Sequence, residues 1–181
     1  MMKYPQILLV IFLSSIVTSC FQNTDFDQAN DVVITPVVEL DLIYFDIDAS
    51  QFYDVETNTP NLVVRDTTAI EFIDGNDIRD ALVRAEFLFD FTNSIPSNFS
   101  VNFDFLNTNN EVRYSSFTQV NAGSASLPVE TIYIDNVENE EIENLTSSNK
   151  VVISVTIPSS SSSLFGTLNL KSKATYYLEI D

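Results

Sequence analysis

Residues 82–106 read LVRAEFLFDFTNSIPSNFSVNFDFL, and the alternation in this stretch decides the fold class. In its first half Val83, Ala85, Phe87, Phe89 and Phe91 share one phase, while Arg84, Glu86 and Asp90 take the other. In its second half Phe99, Val101, Phe103 and Phe105 alternate with Ser100, Asn102 and Asp104. Successive side chains leave a strand on opposite sides, so each half predicts a strand with one buried and one wet face. The connection from Asn93 to Asn98, with Pro96 inside it, has turn-favouring residues, and the two strands are expected to form a hairpin. Asn107 to Asn110 then turns the chain into a third strand around Val112, Tyr114 and Phe117, extending the meander.

Outward from this centre, the same pattern predicts strands over 38–47, 62–72, 129–134, 151–157 and 168–180, eight in all. A helix is expected over 136–145. Asp135 can accept its first free N–H groups, Glu138 can reach back, and Val137, Ile142 and Leu145 give it a partial apolar face. A shorter helical turn fits 76–80. Short strands without regular strand–helix alternation predict an all-β fold, an antiparallel, Ig-like β-sandwich with one short helix, as a single domain over 37–181. Only three glycines disfavour a tight barrel, whose corners need them. The serine run 159–163 after Pro158 reads as a loop.

The chain has 181 residues, 26 acidic and 8 basic, for a net charge of −18; 45% of it is hydrophobic, with 14 Phe, which is ample for a core and argues against disorder. Histidine and tryptophan are absent and Cys20 is the single cysteine, which excludes His-based triads, His/Cys zinc sites and disulfides. So few basic residues also exclude a sequence-independent nucleic-acid binder.

Residues 1–19 combine Lys3, an apolar run from Ile7 to Leu13 and the small-residue end Val17, Thr18, Ser19, the organisation of an export signal. The run falls short of the about 20 apolar residues a membrane span needs. With Cys20, this ending resembles a bacterial lipobox, in which cleavage before the cysteine leaves it acylated, although Val17 stands where leucine is typical. The resemblance implies a signal peptide over 1–19, a palmitate-type lipid anchor on Cys20 and a tether over 20–36. Phe21, Gln22, Asn23, Thr24, Asp25, Phe26 and Asp27 also resemble the acidic export tag of surface-exposed lipoproteins of Bacteroidota. Asp66, Thr67 and Thr68, the strand through Phe91, Asn93 and the turn with Pro96 are similar to small acidic lipoproteins of flavobacteria, about a quarter of the chain. That likeness implies an outer-membrane address and an all-β fold, and transfers no catalytic residue.

Asp46 with Asp48 and Glu140 with Glu141 are the carboxylate pairs a glycosidase would need, but most acids sit on wet strand faces or in turns. A serine nucleophile would have only lysine as base, and Lys150, Lys171 and Lys173 are not read as part of a Ser-x-x-Lys site. An enzyme is therefore not expected. Calcium suits hard oxygen ligands: Asp46, Asp48 and Ser50 have alternate spacing, and Asp74, Gly75, Asn76 and Asp77 form an oxygen-rich turn, without a complete twelve-residue loop. Asp66-Thr67-Thr68 matches the pattern that receives O-linked glycans in exported Bacteroidota proteins, with Thr67 as acceptor. Leu82, Leu88, Ile43, Phe45, Val152 and Tyr177 fall opposite the main core phase of their strands; left uncovered, they would form an interaction surface.

The resulting expectation is a non-enzymatic outer-membrane lipoprotein facing the cell surface, an accessory or interaction module of an envelope assembly. Its expected partners are the membrane, through the lipid, and an outer-membrane β-barrel protein or complex. The alternative is a calcium- or glycan-binding surface lipoprotein.

Overall fold

Alternation of period two is realised as two facing antiparallel sheets. The computed structural model describes residues 33–70 and 76–180. The first sheet contains β1 (Val37–Asp48), β5 (Leu82–Asn93), β8 (Val129–Glu138) and β10 (Thr167–Leu178), in the order β1-β10-β5-β8. The second contains β4 (Val63–Ala69), β6 (Phe99–Leu106), β7 (Val112–Val120) and β9 (Lys150–Thr156), in the order β4-β9-β6-β7. The two-residue strands β2 (Tyr53–Asp54) and β3 (Thr59–Pro60) form a small separate hairpin. The helices are α1 (Asn76–Ala81) and α2 (Glu140–Thr146). The expected all-β antiparallel sandwich is therefore the fold, and the eight expected strands are its framework.

The central pairing differs from expectation. β5 and β6 do not form a hairpin: β5 lies between β10 and β8, and β6 between β9 and β7 in the other sheet. In a hairpin both phenylalanine rows would point to the same side of one sheet. Arching the chain across the sandwich instead buries each row against the other. Phe89 stacks on Phe103 at 3.9 Å between centroids, and Phe87 lies 5.1 Å from Phe105, all fully buried. The arch is pinned from inside. Buried Asn93 donates its amide to the Ser97 and Asn121 carbonyls (2.9 and 2.8 Å) and accepts from the Ile95 N–H (2.8 Å), while Ile95 plugs the core. Gly123 closes against it: a Cβ there would lie 1.8 Å from the Asn93 carbonyl oxygen. The β6–β7 hairpin does form as expected.

Three further differences have local causes. Val83 is exposed and Leu82 buried because β5 carries an extra residue there: Leu82 pairs with Leu178 and Arg84 with Tyr177. Ile43 is likewise buried and Phe45 partly buried, because β1 changes phase at a bulge between Asp41 and Tyr44. The buried Ser172 hydroxyl spans that bulge, donating to the Ile43 carbonyl and accepting its N–H, both at 2.9 Å. The expected start of the long helix is strand: β8 continues to Glu138, Val137 is buried, and Asp135 accepts a hydrogen bond from Tyr114 rather than capping a helix. Asn139, at φ 55°, ends the strand, and α2 follows with Ile142 and Leu145 buried. Phe72, at the end of one expected strand, lies outside the described residues.

Candidate functional site

The sandwich has two long flanks, one along β7 and β8 and one along β1 and β4. On the first, side chains tie the sheets together. The Tyr114 hydroxyl donates to Asp135 Oδ2 at 2.7 Å, Ser116 Oγ lies 3.1 Å from Tyr133 Oη, and α2 packs over β7, β8 and β5. Burial, and next the Asp135 carboxylate, hold the Tyr114 phenol well above its usual range.

On the second flank, among the described residues, no hydrogen bond joins β1 to β4. Among the described residues β1 is bonded only to β10 and β4 only to β9, so each has one edge without a strand partner, as β7 and β8 have on the other flank. Between them lie two clefts. One of about 190 Å³ is walled by Phe45, Ile47, Val64, Ile153 and Val155, with Asp46, Arg65 and Asp66 at its margin. The other, of about 310 Å³, is walled by Leu40, Leu42, Ile70, Ala174 and Tyr176, with Asp41 beside it. Because residues 45–47 face 64–66 and residues 40–42 face 69–70, the two edges run antiparallel along the seam. The 49–62 connection closes one end, where buried Phe52 packs 5.3 Å from Phe99.

The sequence-derived residues are distributed as follows. Cys20, with the signal and most of the tether, lies outside the described residues, as do Asp74 and Gly75. Asp46 borders the first cleft, its Oδ1 accepting from Asn169 Nδ2 at 2.7 Å. Asp48 accepts the Ser50 N–H at 2.8 Å and caps the short turn 49–52; hydrogen bonds from Ser50, side chain first and then backbone, hold its carboxyl below the usual range. Each thus has a structural partner, and among the described residues no group of three or more acidic, histidine or cysteine side chains is placed to hold a metal. Thr67 is exposed on β4, its N–H bonded to Asp66 Oδ1 at 2.8 Å. Ser147 and Lys150 do have Ser-x-x-Lys spacing, contrary to the sequence reading. The structure separates their roles: Ser147 Oγ donates to the Asn144 carbonyl and accepts from Arg113 Nε, whereas Lys150 Nζ donates to Asn110 Oδ1.

Of the residues expected on the uncovered phase, Leu82 and Ile43 are core, and Leu88, Phe45, Val152 and Tyr177 are partly buried. The outer face of the first sheet exposes Ile132 and Ile134 instead, but Asp90, Lys171 and Lys173 interrupt it. The seam residues Leu40, Leu42, Val64 and Ile70 were not singled out from sequence. A signal was present for β1: Val38, Leu40 and Leu42 are apolar at even positions, then Ile43, Phe45 and Ile47 at odd ones, the mark of a bulge.

No helix among the described residues is long and apolar enough to cross a membrane. No family model and no curated protein matches the chain. Among solved structures, it is similar to a protein of Parabacteroides distasonis titled a "putative secreted protein", at 13% identity and TM-score 0.44, over 63% of this chain and 38% of that one. It is also similar to the VP2 subviral particle of infectious bursal disease virus, at 5% identity and TM-score 0.47, over 79% and 32%. A third is the enzymatically active domain of bacteriophage CBA120 tailspike protein 4, at 12% identity and TM-score 0.37, over 81% and 19%. The matched region thus spans well under half of each of these chains.

Proposed function

We propose that this protein is a non-enzymatic, lipid-anchored interaction module of the bacterial outer membrane, held by an acyl chain on Cys20 and binding a partner protein in an envelope assembly. The observation that carries the binding role is the unclosed flank. A sandwich that buries its central phenylalanines fully nevertheless has, among the described residues, two clefts with apolar walls along its β1–β4 side. Uncovered apolar surface with adjacent polar groups has the composition of a protein-binding patch. The anchoring half rests on the apolar run and the small-residue ending at Cys20.

The test is purification of the lipidated protein from detergent-solubilised outer membrane. A stoichiometric membrane-protein partner is the expected result. Recovery of the protein alone, with protection against heat by calcium or sugars, would move the ligand-binding alternative ahead. For the anchor, Cys20→Ser is expected to release the protein into the soluble envelope fraction, and unchanged membrane partition would reject it.

A further inference from the structure

We infer that one loop end of the sandwich, a surface separate from the β1–β4 clefts, docks onto an uncharged apolar patch of a partner protein lying away from the anchoring membrane. Its orientation rests on the anchored-module reading. Four connections meet at this end: 49–62 after β1, 94–98 after β5, 121–128 after β7 and 157–166 after β9. Backbone contacts join them into one platform. The Ala49 N–H bonds to the Gly166 carbonyl at 3.0 Å and the Ser94 N–H to the Thr167 carbonyl at 2.9 Å. The Gly123 N–H bonds to the Ile95 carbonyl, and the Ile157 N–H to the Leu62 carbonyl, both at 3.0 Å. Gly166, at φ 108°, lies so close to Ser94 that a Cβ would stand 2.6 Å from the Ser94 carbonyl oxygen. Loops fixed in this way spare a partner the entropy of ordering them.

Composition sets this end apart. Charged residues make up 19% of the chain, yet loops 94–98, 121–128 and 157–166 contain none, and 49–62 holds only Asp54 and Glu56. The connections at the opposite end carry Asp80, Glu111, Glu140, Glu141 and Glu143. The two most exposed large apolar side chains among the described residues, Val55 at 76% and Leu127 at 72%, both stand at the uncharged end, with Phe165 at 59%. Apolar anchors framed by serine, asparagine and glycine, with charge removed from between them, are the composition of a protein-docking loop surface.

The tether decides against a lipid surface. Ile34 pairs with Ile180 and Val37 with Tyr177, so the chain leads back to Cys20 from the opposite end. Residues 20–34 reach at most about 50 Å when fully extended, and β1 alone is roughly 40 Å long. Laying the loop end on the same membrane would consume most of that reach. A second copy would bring its own net charge of −18 toward this one. A different protein is the better occupant of the two.

The test uses the full lipidated chain in envelopes of the cell that makes it, with Leu127 or, separately, Phe165 replaced by photoreactive benzoylphenylalanine. Both positions are expected to crosslink to one and the same protein, and the probe in place of Ile134, on the outer face of the first sheet, is not. The Leu127→Ser, Phe165→Ser double variant should lower recovery of that protein by about tenfold or more and leave the melting temperature within about 2 °C, because both side chains are exposed. Ile132→Ser with Ile134→Ser, an equal loss of exposed apolar surface elsewhere, should lower recovery by less than about twofold. Raising NaCl from about 0.15 M to about 0.5 M should change recovery by the parent less than about threefold. Crosslinks to lipid alone or to a second copy, equal crosslinking from position 134, or a tenfold loss in high salt would each overturn the docking end. Full recovery of a partner by the Leu127→Ser, Phe165→Ser variant, or crosslinking from a probe at Leu40 with none from the loops, would overturn it and leave the flank reading standing. Absence of any partner from the parent would remove both.

Discussion

Along β7 and β8 two side-chain hydrogen bonds, Tyr114 to Asp135 and Ser116 with Tyr133, bridge the sheets and α2 covers one end, whereas along β1 and β4, among the described residues, no hydrogen bond joins the two edges and two clefts lie between them. Both flanks draw on the same central rows of phenylalanine. The difference shows that closing a sandwich is a separate matter from filling it: the centre supplies the burial, and each flank is free to be sealed or used.

The largest expected effect tests whether the centre is common to both flanks. Phe89→Ala removes a fully buried ring stacked on Phe103 and should destabilise the domain by about 3–5 kcal/mol in urea unfolding. A loss under about 1 kcal/mol would mean that the flanks, rather than the centre, hold the sheets together.

Next in size is the sealed flank. Tyr114→Phe deletes the bond to Asp135 and should cost about 1–2 kcal/mol near neutral pH. It should also alter the alkaline limb. The Tyr114 and Tyr176 phenols are both raised above their ordinary value of 10.0, each primarily by burial. The folded chain therefore keeps protons that the unfolded chain releases, so this stability is full below the ordinary tyrosine value and falls as pH rises past it. Unfolding curves across that range should show a shallower loss for Tyr114→Phe than for the parent. An identical slope would remove Tyr114 from the seal.

On the open flank the same scale of change should matter less. Val64→Ala trims a half-buried wall of a cleft that already faces solvent, so its cost should stay below about 1 kcal/mol in the same denaturant series. A cost comparable to Phe89→Ala would show that the flank is closed in solution. The smallest effect concerns Asp46 and Asp48. Each is bonded to a neighbour and no described third ligand is at hand, so millimolar calcium in about 0.15 M NaCl should leave the melting temperature unchanged. A calcium-specific rise that disappears in Asp48→Asn would establish a metal site on this flank.

The sequence made the faces legible and left the partners open. The inward phase of Phe87, Phe89, Phe91, Phe99, Phe103 and Phe105 follows directly from period two, because any sheet must bury that row. Which strand lies beside which does not follow, since the same alternation serves a hairpin or an arch. The choice was made by Asn93 and Ile95, whose side chains turn inward within an apparently ordinary turn. At Val83 and along β1, single extra residues reversed the phase. The helix began late because Asn139 adopts a positive φ after a strand that had not ended. The seam was the least legible feature, because an edge is a property of the assembled sheet rather than of any one strand.

β10 lies between β1 and β5, and Lys173 Nζ bonds to Glu39 Oε1 across 134 residues of sequence. Contacts so distant along the chain slow folding, because a long loop must close before they form. During synthesis from the N-terminus, β1 and β5 therefore wait for their common neighbour until residues 167–178 have emerged. A nascent chain halted before residue 167 would hold a complete set of second-sheet strands beside a first sheet missing its middle, leaving one edge of β5 unpaired and the core beside it open to chaperones and proteases. The order of the strands thus makes closure of the sandwich wait on β10: only a chain translated through residues 167–178 can join β1 to the rest of its sheet.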